Sequence, residues 1–324
     1  MSNLKAVFTD YQYDNIDQEK KILTDAGIDV YEYQIKDAKQ LLDITKDADA
    51  IITQYSDINR EVIENLEHCK MIIKYGIGVN NIDSNAATEK GIYVCNVPDY
   101  GIDEVSNHAI ALLMALARKL PTITDALRKG DWGYGSIVPL HRVAGSTLGL
   151  IGFGRIPQLV AKKMAGFDVN IIAYDPFFDK QKAADMGVKL VDLDELCKES
   201  DYISIHCPLT PETTHIINKD RLSMMKQHAI IINTARGPVI CEEDLIEALN
   251  SHTIAGAGLD VYEEEPIKID NKLLSMENVI ATPHCAWYTE EAILNLQRKV
   301  AEEVANVLQG NLPFNLCNRE VLSK

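Results

Sequence analysis

Residues 147–176 read TLGLIGFGRIPQLVAKKMAGFDVNIIAYDP. An apolar run, Leu148–Ile151, enters the turn Gly152-Phe153-Gly154-Arg155-Ile156-Pro157. A helical stretch follows, then a second apolar run, Asn170–Tyr174, closed by Asp175. Strand, glycine-rich turn, helix, strand and acid in this order are the context that a dinucleotide-binding βαβ unit requires. Gly152 lets the chain turn tightly, and Gly154 lets the backbone approach a pyrophosphate. The N–H groups of Arg155 and Ile156 would face that phosphate at the positive end of the helix. Pro157 stands where Gly or Ala is usual. A first helical turn tolerates it, although its ring takes up space where helix and strand should pack closely. Asp175 lies 21 residues after Gly154 and can accept hydrogen bonds from the adenosine ribose. A carboxylate there repels a 2′-phosphate, and Pro176-Phe177-Phe178-Asp179 brings no Arg to offset it. The expected cofactor is NAD in preference to NADP; the plainer alternative is an acid that merely ends a strand.

The same rhythm extends in both directions. Before it come strand-like runs at Ala6–Thr9, Val30–Tyr33, Ala50–Thr53, Met71–Lys74 and Tyr93–Asn96, then one long helix at 102–119. After it come Leu190–Val191, Ile203–His206, Ala229–Asn233, Ile254–Leu259 and Val279–Thr282, with helical segments between. Such alternation predicts an α/β protein with parallel sheets covered by helices on both faces. No Pro/Gly/Ser-rich linker marks a boundary, so a domain division must run through ordered crossovers.

Composition narrows the function. The chain has 324 residues, enough for two domains, and 46% hydrophobic content, which excludes a disordered chain. A net charge of -16 argues against a nucleic-acid partner. It leaves small anions open, because a nest of backbone N–H groups acts locally. Seven cysteines include no CxxC, so thiols buried in a reducing cytosol are expected. The N-terminal stretch lacks a signal-like apolar segment. The longest apolar run, Ala109–Ala117, has nine residues, against about 20 for a membrane span. A cytoplasmic protein with no membrane partner is expected. No HExxH or comparable cluster occurs, and no metal is expected.

Three ionisable residues sit at the ends of predicted strands or beside a turn. Arg236, in IIINTARGPV, suits bidentate contact with a carboxylate, or it is a plain exposed turn residue. His284, in ATPHCAWY, is a natural proton donor or acceptor, or a structural loop histidine. Glu265 ends the run Glu263-Glu264-Glu265, and spacing alone does not select among the three. His108, His206 and His215 are weaker candidates.

Taken together, the stretches KYGIGVNNID (74–83), VPDYGIDEVSNHAIALLMALAR (97–118), the turn at 147–157, SDYISIHCPLTPETTHIIN (200–218), NTARGPVICEEDLIEAL (233–249), GAGLDVYEEEP (256–266) and ATPHCAWY (281–288) make the chain resemble the D-isomer-specific 2-hydroxyacid dehydrogenase family. HCAWY and GSTLGLIGFGRI look most like its C-terminal-binding-protein-like branch. The resemblance implies two Rossmann-like or flavodoxin-like domains. A substrate domain of residues 1–99 and 289–324 would be interrupted by an NAD domain of residues 100–288. It also implies a homodimer through the 102–132 region.

The family's catalytic Arg, Glu and His fall on Arg236, Glu265 and His284. His284 would protonate the carbonyl oxygen during reduction, and Glu265 would favour the protonated imidazole. Arg236 would hold the 2-oxo acid. Glu265 departs from the formate dehydrogenase branch, which carries Gln there. By the same resemblance Tyr75, Gly76, Ile77 and Gly78 form a carboxylate-binding loop, and Trp287 is a pocket wall or a packing residue. Ser106, Thr234, Ala235 and Asp260 would line the nicotinamide side of the cofactor. Cys207 and Pro208 would line the adenosine side, with Thr213 a further cofactor contact. The implied activity is reversible hydride transfer between NADH and a small 2-oxo acid. Two alternatives stand beside it. One is a D-3-phosphoglycerate dehydrogenase, with Lys74 where that subfamily has a phosphate-binding Arg. The other is an NAD(H)-sensing, corepressor-like binding protein.

Overall fold

Short runs of Ile, Val, Leu and Ala between polar helices become strands, and central ones such as Ala50–Thr53, Tyr202–Ile205 and Ile230–Asn233 are buried throughout, as parallel sheets require. The computed structural model describes residues 4–35 and 37–323. It divides into one unit of Met1–Gly101 with Thr289–Lys324 and a second of Ile102–Tyr288. The first begins β1 (Leu4–Phe8), α1 (Asp17–Asp25), β2 (Ile28–Glu32), α2 (Ala38–Thr45), β3 (Ala50–Thr53) and α3 (Arg60–Asn65). It continues through β4 (Met71–Lys74), α4 (Ser84–Glu89) and β5 (Tyr93–Cys95). All pairings are parallel, in the order β2-β1-β3-β4-β5. This is the flavodoxin-like winding.

The second unit starts with α5 (Ile102–Ala117) and α6 (Leu120–Arg128). The helix expected at 102–119 is α5, and a second helix that the sequence reading did not single out follows it. Lys119 takes a left-handed φ of 50°, and Pro121 sits at the start of the new helix, where its missing N–H costs nothing. Then follow β6 (Thr147–Ile151), α7 (Arg155–Met164), β7 (Asn170–Tyr174), α8 (Lys180–Asp185), β8 (Lys189–Leu190), α9 (Leu193–Glu199) and β9 (Tyr202–Ile205). The unit closes with α10 (Lys219–Met224), β10 (Ile230–Asn233), α11 (Glu242–Asn250), β11 (Gly256–Leu259) and β12 (Val279–Ala281). Its parallel sheet runs β12-β11-β10-β9-β6-β7-β8. The order reverses between β6 and β9, and ligands of such sheets bind outside the carboxyl ends of the strands at this switch. Alternate residues feed the two covering layers: Ile203, Ile205 and Ile231 on one face, Tyr202, Ile230 and Ile232 on the other.

The last helix, α12 (Glu290–Leu308), returns to the first unit. Its buried residues Ala292, Leu296, Val300, Val304 and Leu308 recur every four positions, a stripe that packs against α1. Gln297 donates to the Asn15 carbonyl at 2.8 Å and Gln18 to the Leu294 carbonyl at 3.0 Å. Beyond it Asn318 accepts from Val94 N–H and donates to Ile92 C=O, covering the outer edge of β5. All seven cysteines are free thiols, and Cys317 is exposed where burial was expected. No helix of the described residues is long and apolar enough to cross a membrane.

Candidate active site

The glycine turn follows β6 at the switch point. Gly152 has φ 86°, and a Cβ there would lie 2.9 Å from the Cys207 amide nitrogen, so neither the angle nor the space admits a side chain. Gly154 is the N-cap of α7, whose first turn has no side-chain cap, and nothing lies within 4 Å of where its Cβ would be. Backbone donors at the positive end of a helix face open space there, as a phosphate group would require. Pro157 is buried in the first turn, and α7 runs undisturbed through it. Asp175 accepts from Phe153 N–H (2.8 Å) and Phe177 N–H (2.9 Å), so the acid that could meet a ribose also braces the glycine turn. Thr234 Oγ1 is buried with no hydrogen-bond partner among the described residues. A buried polar atom of this kind calls for an explanation. An uncapped helix, an open glycine, a strand-end acid and an orphan hydroxyl fit a dinucleotide with its amide-bearing ring.

Arg236, Glu265 and His284 all belong to the second unit, on segments that follow β10, β11 and β12, which lie side by side. His284 Nδ1 and Glu265 Oε2 are 2.7 Å apart. Glu265 Oε1 accepts from Tyr262 N–H at 3.0 Å. Burial works against charge on this carboxyl. The His284 hydrogen bond and charge, the Tyr262 amide and the Arg236 guanidinium outweigh burial and hold the carboxyl below the usual glutamate range. Glu265 is thus an anion at neutral pH and selects the tautomer with Nδ1–H. Nε2 is then the ring nitrogen without the proton, able to exchange one.

Several residues that spacing did not single out build this arrangement. Gly237 lets the Arg236 turn meet the Glu265 turn, because a Cβ on it would lie 1.9 Å from the Tyr262 carbonyl group. Asn233 accepts from Ala235 N–H and donates to Arg236 C=O, fixing the turn after β10. Tyr262 donates to the Thr282 carbonyl at 3.0 Å. The sequence signal was present but mute: an Arg-Gly pair and a Tyr three residues before Glu265 mean nothing until the strands are paired.

Other candidates have different surroundings. Asp260, 1% exposed, accepts from Thr282 Oγ1 (2.6 Å), Cys285 N–H (3.0 Å) and Ala286 N–H (2.9 Å), so it shapes the loop that carries His284. Trp287 donates its indole N–H to the His284 carbonyl at 3.0 Å and clamps the same loop. Thr213 spends its hydroxyl within its own loop, donating to Pro208 C=O and accepting from Thr210 N–H. Cys207 is buried beneath Gly152, and burial pushes its thiol up to about 11. Ser106 does not reach a ligand surface. It is fully buried, donates to Asp103 C=O and accepts from Lys163 on α7, because α5 packs that face against α7. Of the other histidines, His108 pairs with Thr282 Oγ1 at 3.0 Å, and burial holds His206 down to about 3.

In the first unit, the loop after β4 has Tyr75 buried, with its hydroxyl bonded to Glu19 and its N–H to the Thr53 carbonyl. Tyr75 therefore offers a ligand neither its side chain nor its amide, contrary to expectation. Gly76, at φ 135°, and Gly78 flank the exposed Ile77.

Comparison with known proteins places this geometry. The family model described as the NAD-binding domain of D-isomer-specific 2-hydroxyacid dehydrogenases matches residues 110–286. The D-3-phosphoglycerate dehydrogenase of Methanocaldococcus jannaschii is 46% identical over 282 residues, covering 86% of this chain and 53% of that one. This chain thus spans about half the length of that curated relative. The glyoxylate reductase of Thermococcus litoralis is 40% identical over 290 residues, covering 87% of each. Among solved structures, the D-lactate dehydrogenase of Aquifex aeolicus, complexed with NAD and lactic acid, superposes with a TM-score of 0.89. It is 30% identical and covers 97% of this chain and 99% of its own.

Proposed function

Because this chain belongs to the D-isomer-specific 2-hydroxyacid dehydrogenase family, we propose that it reduces a small 2-oxo acid to the D-2-hydroxy acid, reversibly, with NADH. The observation that carries this reading is the 2.7 Å contact between His284 and an anionic Glu265, with the Arg236 charge acting on the same carboxylate. Gly152, Gly154, Arg155, Ile156 and Asp175 would hold the dinucleotide, with Cys207, Pro208 and Thr213 near its adenosine and Thr234, Ala235 and Asp260 near its nicotinamide. When bound, that ring supplies the hydride. His284 Nε2 gives a proton to the carbonyl oxygen during reduction and removes it from the hydroxyl during oxidation. Glu265 holds the imidazolium that oxidation leaves behind. Arg236 binds the carboxylate and polarises the carbonyl. By the resemblance of their loop, backbone N–H groups of Gly76, Ile77 and Gly78 also bind a carboxylate.

The Asp175 carboxylate and the absence of a cation in residues 176–179 support NAD over NADP. Seven free thiols support a cytoplasmic setting. The exposed side chains of Leu120, Leu127, Trp132 and Tyr134 support a homodimer through 102–132.

The test is NADH oxidation across glyoxylate, hydroxypyruvate, pyruvate and branched or aromatic oxo acids. At least one should turn over. His284→Ala should abolish that turnover while NADH still binds; retained turnover would remove His284 from the reaction. A second reading is oxidation of D-3-phosphoglycerate. It is favoured by the 46% identity to a phosphoglycerate dehydrogenase and by Lys74, whose ammonium lies 5.3 Å from the centre of the Tyr55 ring. Assay of phosphoglycerate against glycerate separates the two. Submicromolar NADH binding with no turnover on any of these acids would instead favour the NAD(H)-sensing role.

A further inference from the structure

Outside the triad, one cluster of ligand-type side chains is drawn from three separate segments of the second unit. His215, Cys241 and Glu263 place a ring nitrogen, a thiol sulfur and a carboxylate oxygen within 4.8 Å of one another. His215 Nε2 is 2.8 Å from Glu263 Oε1. Backbone bonds fix the three positions. His215 N–H donates to Pro238 C=O (2.8 Å), Ile217 N–H to Val239 C=O (3.1 Å) and Cys241 N–H to Ile217 C=O (2.9 Å), which lays residues 215–217 beside 238–241. Glu242 N–H donates to Glu263 Oε1 at 3.1 Å and ties in the third segment. His215 also takes a left-handed φ of 51°, a conformation uncommon outside glycine but one that histidine adopts more often than most residues.

We propose that His215, Cys241 and Glu263 bind a zinc-class divalent cation. Imidazole, thiolate and carboxylate together are a zinc-type donor set and a poor one for Mg2+ or Ca2+, which take oxygen ligands. Zinc–ligand bonds of about 2.0–2.3 Å put tetrahedral partners on the order of 3.5 Å apart, so small side-chain rotations close the site. On binding, Cys241 ligates as thiolate and its proton passes to solvent. The side chains of His215 and Glu263 are 45% and 35% exposed, which leaves the fourth position to water and the ion free to exchange. A second cluster, His108, Asp260 and Cys285, has similar spacing. There the Asp260 oxygens are already taken by Thr282, Cys285 and Ala286, and no ion is assigned to it.

The test uses the full chain without an affinity tag, stripped with a chelator and titrated with Co2+, whose thiolate complex has a strong charge-transfer absorption. The expected result is a band saturating at one Co2+ per chain, displaced by Zn2+, with a higher melting temperature in Zn2+. Cys241→Ser should abolish the band. His215→Gln, which keeps the thiol, should weaken Co2+ binding at least 10-fold while melting like wild type without metal. No band in the wild-type protein would overturn the proposal. So would a band that survives Cys241→Ser and is lost in Cys285→Ser, or Co2+ affinity unchanged in His215→Gln. None of these readouts depends on which oxo acid is turned over.

Discussion

His284 holds a backbone angle, φ 52°, that costs most non-glycine residues about 1–3 kcal/mol. Its neighbours enforce it: Asp260 takes the next two amides, and the Trp287 indole holds its carbonyl. The ring is therefore aimed by the loop, and Glu265 only completes the orientation. Because the Glu265 carboxyl lies lower in the folded chain than in the unfolded one, its charged contacts stabilise the fold above the unfolded value, about 4.3. That contribution fades as the pH falls through the folded value. Denaturant unfolding of wild type and Glu265→Gln should therefore differ by a constant amount near neutrality and converge in acid. A gap that widens in acid would contradict the assigned direction. Arg236, Glu265 and His284 were visible in sequence only through resemblance, since each had an ordinary structural alternative. Asp260 as the organiser of a loop 22–26 residues away, and Ser106 turned against Lys163, could not be read, because both depend on which elements pack together.

Elements were legible wherever side chains alone decide them. Each of the twelve strands overlaps a run expected from the sequence, and the glycine turn stands between the strand and helix that its motif requires. The helix expected at 102–119 is α5, whereas α6 beyond it was not singled out; its start is set by the left-handed Lys119 backbone. Side-chain N-caps at Asp37, Asn59, Asp83, Asp179, Asp192, Asn218 and Thr289 are each worth about 1 kcal/mol; α1, α6, α7 and α11 start without one, and among them only α7 opens from the glycine turn. Gly152→Ala meets both a positive φ and the Cys207 backbone, and should weaken NADH binding at least 10-fold by fluorescence titration. Gly237→Ala drives the Arg236 and Tyr262 turns apart. It should lower kcat/KM at least 100-fold while NADH affinity changes far less; an active variant would show that the close approach is dispensable.

At the scale of the whole molecule, the proposed homodimer rests on the exposed Leu127 and Trp132. Sedimentation should give twice the 36.1 kDa chain mass for wild type and the single mass for Leu127→Glu with Trp132→Glu. An unchanged mass would move the interface elsewhere. The net charge of -16 remains compatible with anionic ligands, because the candidate contacts are Arg236 and backbone N–H groups, which act locally. The acid–base trio also has a consequence for inheritance. Residues 233–288 carry all three members as one contiguous stretch within one unit. A duplication or exchange of that one contiguous stretch would carry the proposed proton-handling set as a whole.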